Sequence, residues 1–258
     1  MNKEKLTSIV LVVIALIAFI GAFLNEPIPQ DINYHNFSDQ KTIFNIPNFW
    51  NVVTNIPFFI VGFLGILKLK TNEKISIVNH NKIAYYIFYF GTILVAFGSG
   101  FYHLYPKNQT LVWDRLPMTL AFMALFSIII TEYISIQRGK SLLIPLILAG
   151  ILSVIYWDYT ESIGKGNLTY YALVQFYPII AIPIILISFP SLYNRGNSYW
   201  FLLLAYLLAK VCEHYDLEIY NLLGFISGHS IKHLVAAFGL YTVLYTFERR
   251  ELKETTNA

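Results

Sequence analysis

Two histidines, His229 and His233, stand four residues apart in Ser227-Gly228-His229-Ser230-Ile231-Lys232-His233, at the head of an apolar run. On a helix this spacing stacks both imidazoles on one face, about one turn apart. Such a pair can fill two corners of a tetrahedral zinc site. Zinc needs a third protein ligand, and a catalytic zinc keeps a fourth position for water. The spacing alone also suits two unrelated polar residues on a helix. The apolar surroundings argue for partners, because a buried polar group without one is costly.

A third imidazole is available at His103. It closes the run Phe97-Gly98-Ser99-Gly100-Phe101-Tyr102-His103, in which Ser99 and His103 share a helical face. A serine between glycines is also a close-packing device. A membrane serine protease would need glycine at position 97, where this chain has Phe97. Ten residues beyond His103 comes Trp113-Asp114-Arg115-Leu116-Pro117-Met118. Asp114 can serve as a helix N-terminal carboxylate or as a partner for Arg115. It is also an ionisable group at the edge of a hydrophobic span, which marks a functional candidate. Three neutral imidazoles would leave zinc one position for water and lower the pKa of that water toward neutrality. A carboxylate beside it can take the proton, and a hydroxyl can steady the developing oxyanion. His103, His229 and His233 as ligands, with Asp114 and Ser99 beside them, spell metal-assisted hydrolysis.

The elements that must position these residues are membrane helices. Of the 258 residues, 56% are hydrophobic and 13% charged, about half the charge of a soluble domain. Mean hydropathy is +0.56. A spanning helix needs about 20 mostly apolar residues, and eight segments qualify: 6–24, 49–69, 83–104, 111–134, 141–157, 170–189, 197–216 and 227–247. The expected fold class is an all-α polytopic membrane protein. Asn25-Glu26-Pro27 is a poor cleavage site, so the first segment reads as an uncleaved anchor. With the N-terminus in the cytoplasm, the inner segments hold twelve basic residues: Lys3, Lys5, Lys68, Lys70, Lys74, Lys82, Arg138, Lys140, Arg195, Arg249, Arg250 and Lys253. The outer segments hold three, Lys41, Lys107 and Lys165. This bias predicts eight spans with both termini inside. Ser99, His103, Asp114, His229 and His233 then all lie toward the outer leaflet. The single Cys212 excludes an internal disulfide and a cysteine metal site. The scattered basic residues give no footprint for nucleic acid.

Other polar residues within the spans read as support. Asn48, Asn51 and Asn55 fall on one face at the outer end of the second span and suit interhelical hydrogen bonding. Lys210, Glu213 and Asp216 follow at three-residue steps, a self-neutralising network on one face.

Together Gly98-Ser99-x-x-x-His103, Asp114 followed by Leu116-Pro117-Met118, and His229-x-x-x-His233 resemble the alkaline ceramidase family. Its superfamily includes the progestin and adipoQ receptors and a GPI-lipid remodelling factor. The segment Asn48-Phe49-Trp50-Asn51-x-x-x-Asn55 resembles the start of the same core, and the likeness covers about residues 48–247. The resemblance implies a seven-helix core plus one N-terminal transmembrane helix. It divides the chain into an anchor (1–25), an outer linker (26–48), a seven-helix domain (49–247) and a cytoplasmic tail (248–258). It implies zinc on His103, His229 and His233, completed by Asp114 and Ser99, and hydrolysis of the ceramide amide to a long-chain base and a fatty acid, a step of sphingolipid metabolism. The eukaryotic members bind calcium through an N-terminal acidic segment. Here residues 31–39 offer Asp31, Asn33 and Asp39, oxygen ligands of the kind calcium uses in a different pattern, so no calcium site is carried over. The core wording is closer to a bacterial branch, and the Ile/Asn/Lys-rich composition agrees with a bacterial inner membrane.

Two functions of different class follow: a zinc-dependent amidase acting on a membrane lipid, or a zinc-containing receptor that signals without turnover. The short inner loops and the 11-residue tail from Glu248 to Ala258 offer a signalling partner little to hold, which favours the enzyme. Within that class, an ester lipid hydrolase is the main competitor. Head group, acyl length and oligomeric state are left open.

Overall fold

A computed structural model describes residues 3–71 and 75–253. Lys74, counted above with the inner basic residues, and the last five residues of the tail lie outside the described residues. The described chain is helical and holds no strand. The helices are α1 (Lys3–Leu24), α2 (Phe49–Val53), α3 (Ile56–Thr71), α4 (Lys82–Leu104), α5 (Asn108–Tyr133), α6 (Ile136–Ser162), α7 (Thr169–Ser188), α8 (Asn197–His214), α9 (Asp216–Leu223) and α10 (Gly228–Arg249). Six segments are long and apolar enough to cross a membrane: α1, α2 with α3, α4, α5, α6 and α7. The two remaining expected spans, 197–216 and 227–247, fall on α8 and α10. Their site-end turns carry Lys210, Glu213 and His214, and His229, Lys232 and His233, which dilute the apolar pattern.

The bundle is built around α5. Almost every residue from Ala121 to Tyr133 is buried, and α5 packs against α4, α6 and α7. A helix apolar all round belongs in the middle of a bundle. On the other side α10 packs against α8 and α3, and α3 against α4. The N-terminal α1 leans on α7, where Tyr177 donates to the Leu11 carbonyl at 3.0 Å.

Three residues join α4 to α5, so the two helices run antiparallel and close. Their separation is set by one glycine and one proline. Pro117 has no N–H to offer the carbonyl four residues back, that of Trp113. Gly98 packs onto this freed oxygen: a β-carbon at position 98 would stand 1.9 Å from it. Ser99 and Asp114 are the next residues on each chain, so this contact brings them together.

At the end of the bundle away from the histidines, Glu132 is fully buried and paired with Arg250. Arg250 donates to both carboxylate oxygens, at 2.6 and 2.8 Å. Tyr85 of α4 and Tyr199 of α8 donate to the same oxygens at 2.6 and 2.8 Å. Arg250 also donates to the Ser76 carbonyl at 2.9 Å. Every lone pair in this cluster that water would have served is thus served by protein, and four segments are tied at one point. Removing one partner of a buried ion pair strands the other charge, at a cost of about 3–5 kcal/mol. Glu132→Gln is expected to lower thermal stability in detergent by that order while leaving helix content at low temperature intact. An unchanged melting temperature would show that the cluster does not hold the bundle.

Candidate metal centre and the cavity beside it

His103 lies in the last turn of α4, and His229 and His233 in the first two turns of α10. The fold brings them together. One ligand nitrogen from each lies within 4.8 Å of the other two. Ring centres are 4.9 Å apart for His103 and His229, 5.0 Å for His103 and His233, and 5.2 Å for His229 and His233. All three are buried, His103 at 1% exposure.

Their nitrogens are left with lone pairs to give. Nδ1 of His103 and Nε2 of His229 are buried and have no hydrogen-bond partner in the protein. His233 is more explicit. The Thr54 hydroxyl donates to the Trp50 carbonyl at 2.6 Å, so its one proton is spent. Its oxygen, 3.0 Å from Nδ1 of His233, is therefore an acceptor. That puts the ring proton on Nδ1 and leaves Nε2 bare. An outer partner that fixes the tautomer is what a metal-binding histidine ordinarily has. The three side chains could hold a metal ion.

Local structure explains why they point inward. Helix α10 starts at Ser227, whose Oγ accepts from the Ser230 N–H at 3.3 Å. Asp216 Oδ1 accepts from the His229 N–H at 2.6 Å. These oxygens satisfy donors that the first turn of a helix leaves unpaired. Gly228 lets this turn sit on the end of α8, since a β-carbon there would lie 2.1 Å from the Cys212 carbonyl. Asn51 accepts from Ser230 Oγ at 2.6 Å and donates to the Asp39 carbonyl at 3.1 Å. Asn48 donates to the His103 carbonyl at 2.8 Å. Asn48 and Asn51 thus bond between elements, as their spacing suggests, whereas Asn55 donates only to the Asn51 and Val52 carbonyls of its own segment.

The acidic triplet behaves differently from its spacing. Helix α8 ends at His214, and Asp216 opens α9. Asp216 turns to His229 and to the Ser38 N–H at 2.9 Å. Glu213 instead pairs with Lys210 at 2.6 Å and with Lys232 at 2.5 Å. Lys232 therefore points inward, between the two histidines of its own helix.

Segment 26–48 forms a roof over the site. Phe37 is buried with its ring centre 4.7 Å from that of His103 and 4.5 Å from that of His229. Ser38 is held by Asp216, Gln30 N–H by Glu161 at 2.8 Å, and the Ile28 carbonyl by Leu168 N–H at 2.8 Å. His35 bonds Tyr102 and Asn108, both at 2.8 Å. Nothing in the polar, aperiodic sequence of this segment signals such a role.

Below the roof lies a cavity of about 520 Å³. Ser99, Asp114 and His233 line one end, with Arg115, Lys210, Glu213 and Lys232. Ser99 is buried and stands beside the half-buried Asp114 carboxylate. The remaining wall is mostly apolar, with Phe88, Leu125, Ile179, Ile182, Leu203 and Leu240, and also holds Asn55, Thr92 and Gln175. From Asp114 to Leu125 is eleven residues of helix, about 16 Å, roughly half of a ~30 Å hydrocarbon core. The slot thus runs from a polar end, where His233 of the histidine cluster lines it, into the apolar middle of the bundle. Thr54, Phe37 and Arg115 are parts of this site that residue types alone do not reveal.

A family model described as Ceramidase matches residues 39–258. No curated protein and no solved structure matches the chain. Thr54→Val keeps the shape and removes the acceptor for His233 Nδ1. It is expected to weaken metal binding by about 10–100-fold in a chelator competition. Unaltered affinity would mean that Thr54 does not orient the ring.

Proposed function

The chain belongs to the ceramidase family, and on the geometry of its own residues we propose that it is a zinc-dependent hydrolase cleaving the amide bond of an N-acyl lipid within the membrane. The observation that carries this reading is the buried triangle of imidazoles, with bare nitrogens, at the polar end of an apolar slot. Nitrogens held about 2.0–2.1 Å from a tetrahedral ion put neighbouring imidazole centres about 5 Å apart, which agrees with the 4.9–5.2 Å separations here. An all-nitrogen donor set with no sulfur also suits zinc. His103, His229 and His233 would hold it. When bound, the ion supplies Lewis acidity, making water acidic near neutral pH and polarising the acyl carbonyl.

The chain's own groups carry the rest. The alkyl chain lies along the slot, which fixes the acyl carbon at the end near His233, Ser99 and Asp114. The Asp114 carboxylate takes a proton from the attacking water and hands it to the departing nitrogen. Water adds to the acyl carbon, the C–N bond breaks, and a carboxylate and an amine result. The Ser99 hydroxyl donates to the oxyanion that develops on the carbonyl. The Phe37 roof keeps bulk water off this end and strengthens each of these electrostatic contacts.

In this reading α2–α3 through α10 form the seven-helix domain (49–247), and α1 is an added span. Both termini lie on the cytoplasmic side of a bacterial inner membrane, the site faces the outer leaflet, and lipid enters sideways between helices. The basic residues at the ends of the spans support this orientation.

Detergent-purified protein is expected to carry about one zinc per chain, lost in the His229→Ala/His233→Ala double variant. Asp114→Asn should keep the metal yet lose about 10²–10⁴-fold in turnover of long-chain N-acyl amides. Folded protein without stoichiometric metal, or full turnover in Asp114→Asn, would sink the mechanism.

A further inference from the structure

The polar end of the cavity is more positive than cleavage of a neutral amide lipid requires. Three helices each place one cation in its wall: Arg115 from α5, Lys210 from α8 and Lys232 from α10. Both lysines lean on a single carboxylate, Glu213, at 2.6 and 2.5 Å. Among the described residues Arg115 has no carboxylate partner of its own. Its Nη2 donates to the neutral Gln30 side-chain oxygen at 2.6 Å. Its guanidinium packs between the rings of Trp157 and Tyr171, at 4.1 and 4.7 Å. Its Nη1 is buried and has no acceptor among the described residues, although the residue is only 6% exposed.

The acids nearby are committed elsewhere: Glu161, behind Gln30 and Trp157, accepts from the Gln30 N–H at 2.8 Å, the Trp157 indole at 3.0 Å and Asn108 at 3.3 Å. Asp114 belongs to the reacting end. Asp31, at the mouth, is exposed and uses Oδ1 to accept from the Asn33 N–H at 2.9 Å. Three cations thus face Glu213 and Asp114, and a divalent ion on the histidines adds further positive charge. Unneutralised charge away from water is expensive. A ligand anion would relieve it, and a guanidinium held flat by two rings is pre-organised for a planar or tetrahedral oxyanion.

Resting on the hydrolase reading above, we propose that the preferred substrates are N-acyl lipids whose amine portion carries an anionic oxygen group, a carboxylate or a phosphate, received by Arg115 and the Lys210–Glu213–Lys232 cluster. The reaction is unchanged: water is consumed, the amide C–N bond breaks, and the amine product keeps the anion.

The test uses zinc-loaded full-length protein in detergent and two matched pairs of lipids. N-palmitoylglycine is compared with N-palmitoylglycinamide, and ceramide 1-phosphate with ceramide. The anionic member of at least one pair should have a kcat/KM higher by about tenfold or more, and the pair that responds distinguishes carboxylate from phosphate. In Arg115→Gln the preference should collapse, while Arg115→Lys should retain part of it. Equal or better use of both neutral members by the wild type overturns the proposal whatever the variants do. Should no lipid be cleaved, the hydrolase reading fails on its own, and equilibrium binding of the same four lipids still decides. Tighter binding of an anionic member, weakened in Arg115→Gln, upholds the subsite, and equal binding within both pairs overturns it.

Discussion

Three buried imidazole rings, two pairs packed edge to face and one tilted, with a ligand nitrogen from each within 4.8 Å of the other two, form a contact that no isolated segment would keep. Each bare nitrogen forgoes the hydrogen bond it would make in solvent. Around the triangle, the groups that position the rings are therefore tied down. Thr54 orients one ring, Asp216 and Ser227 hold the turn that carries two of them, and Asn48 holds the carbonyl of the third. These bonds come from α2, the α8–α9 corner and the roof as well as from the ligand helices. The cost of gathering the rings is spread over most of the site end of the bundle.

The opposite end answers a different problem. A bundle in lipid gains little from burying apolar side chains, because lipid is as apolar as they are, so packing and polar contacts fix its register. The Glu132–Arg250 pair, with Tyr85 and Tyr199, anchors α4, α5, α8 and the chain after α10 at one point. The Gly98–Trp113 contact anchors α4 against α5 near the other end. Two fixed points along the same helix pair leave Ser99 and His103 little freedom to drift from Asp114. The stability of one end thus serves the chemistry of the other.

Much of this was legible in the residues. His103, His229 and His233 could be joined because helical spacing and alternating span direction place them at one end, and the three-residue α4–α5 connection kept Asp114 near His103. Asn48 and Asn51 bonded between elements as their period suggested, while Asn55, at the break between α2 and α3, bonded only within its own segment. What escaped has a common physical cause. Thr54 is a commonplace residue whose role depends on a broken helix, α2 to α3, and a break of two residues leaves no periodic signal. Phe37 and Gln30 act from a segment with no regular structure, so nothing ties their position to their spacing. Asp216 shared a helical step with Glu213, yet α8 ends before it, and its carboxylate serves another helix. Glu132 was visible as a lone acid in an apolar run, but its partner Arg250 lies 118 residues on.

Two of the helices that carry the site are also those whose composition suits a membrane least. Helices α8 and α10 fall short of the apolarity that marks the other six segments, and each owes its polar end to cavity-lining residues. A charge in a spanning helix is tolerated when it faces the bundle and finds a partner there. Lys210 and Lys232 find one in Glu213. Arg115 does so only through a neutral amide and two aromatic faces. An apolar residue at that point would give up the bond to Gln30 and the two ring contacts, which tie α5 to the roof, α6 and α7 at the polar end of the cavity.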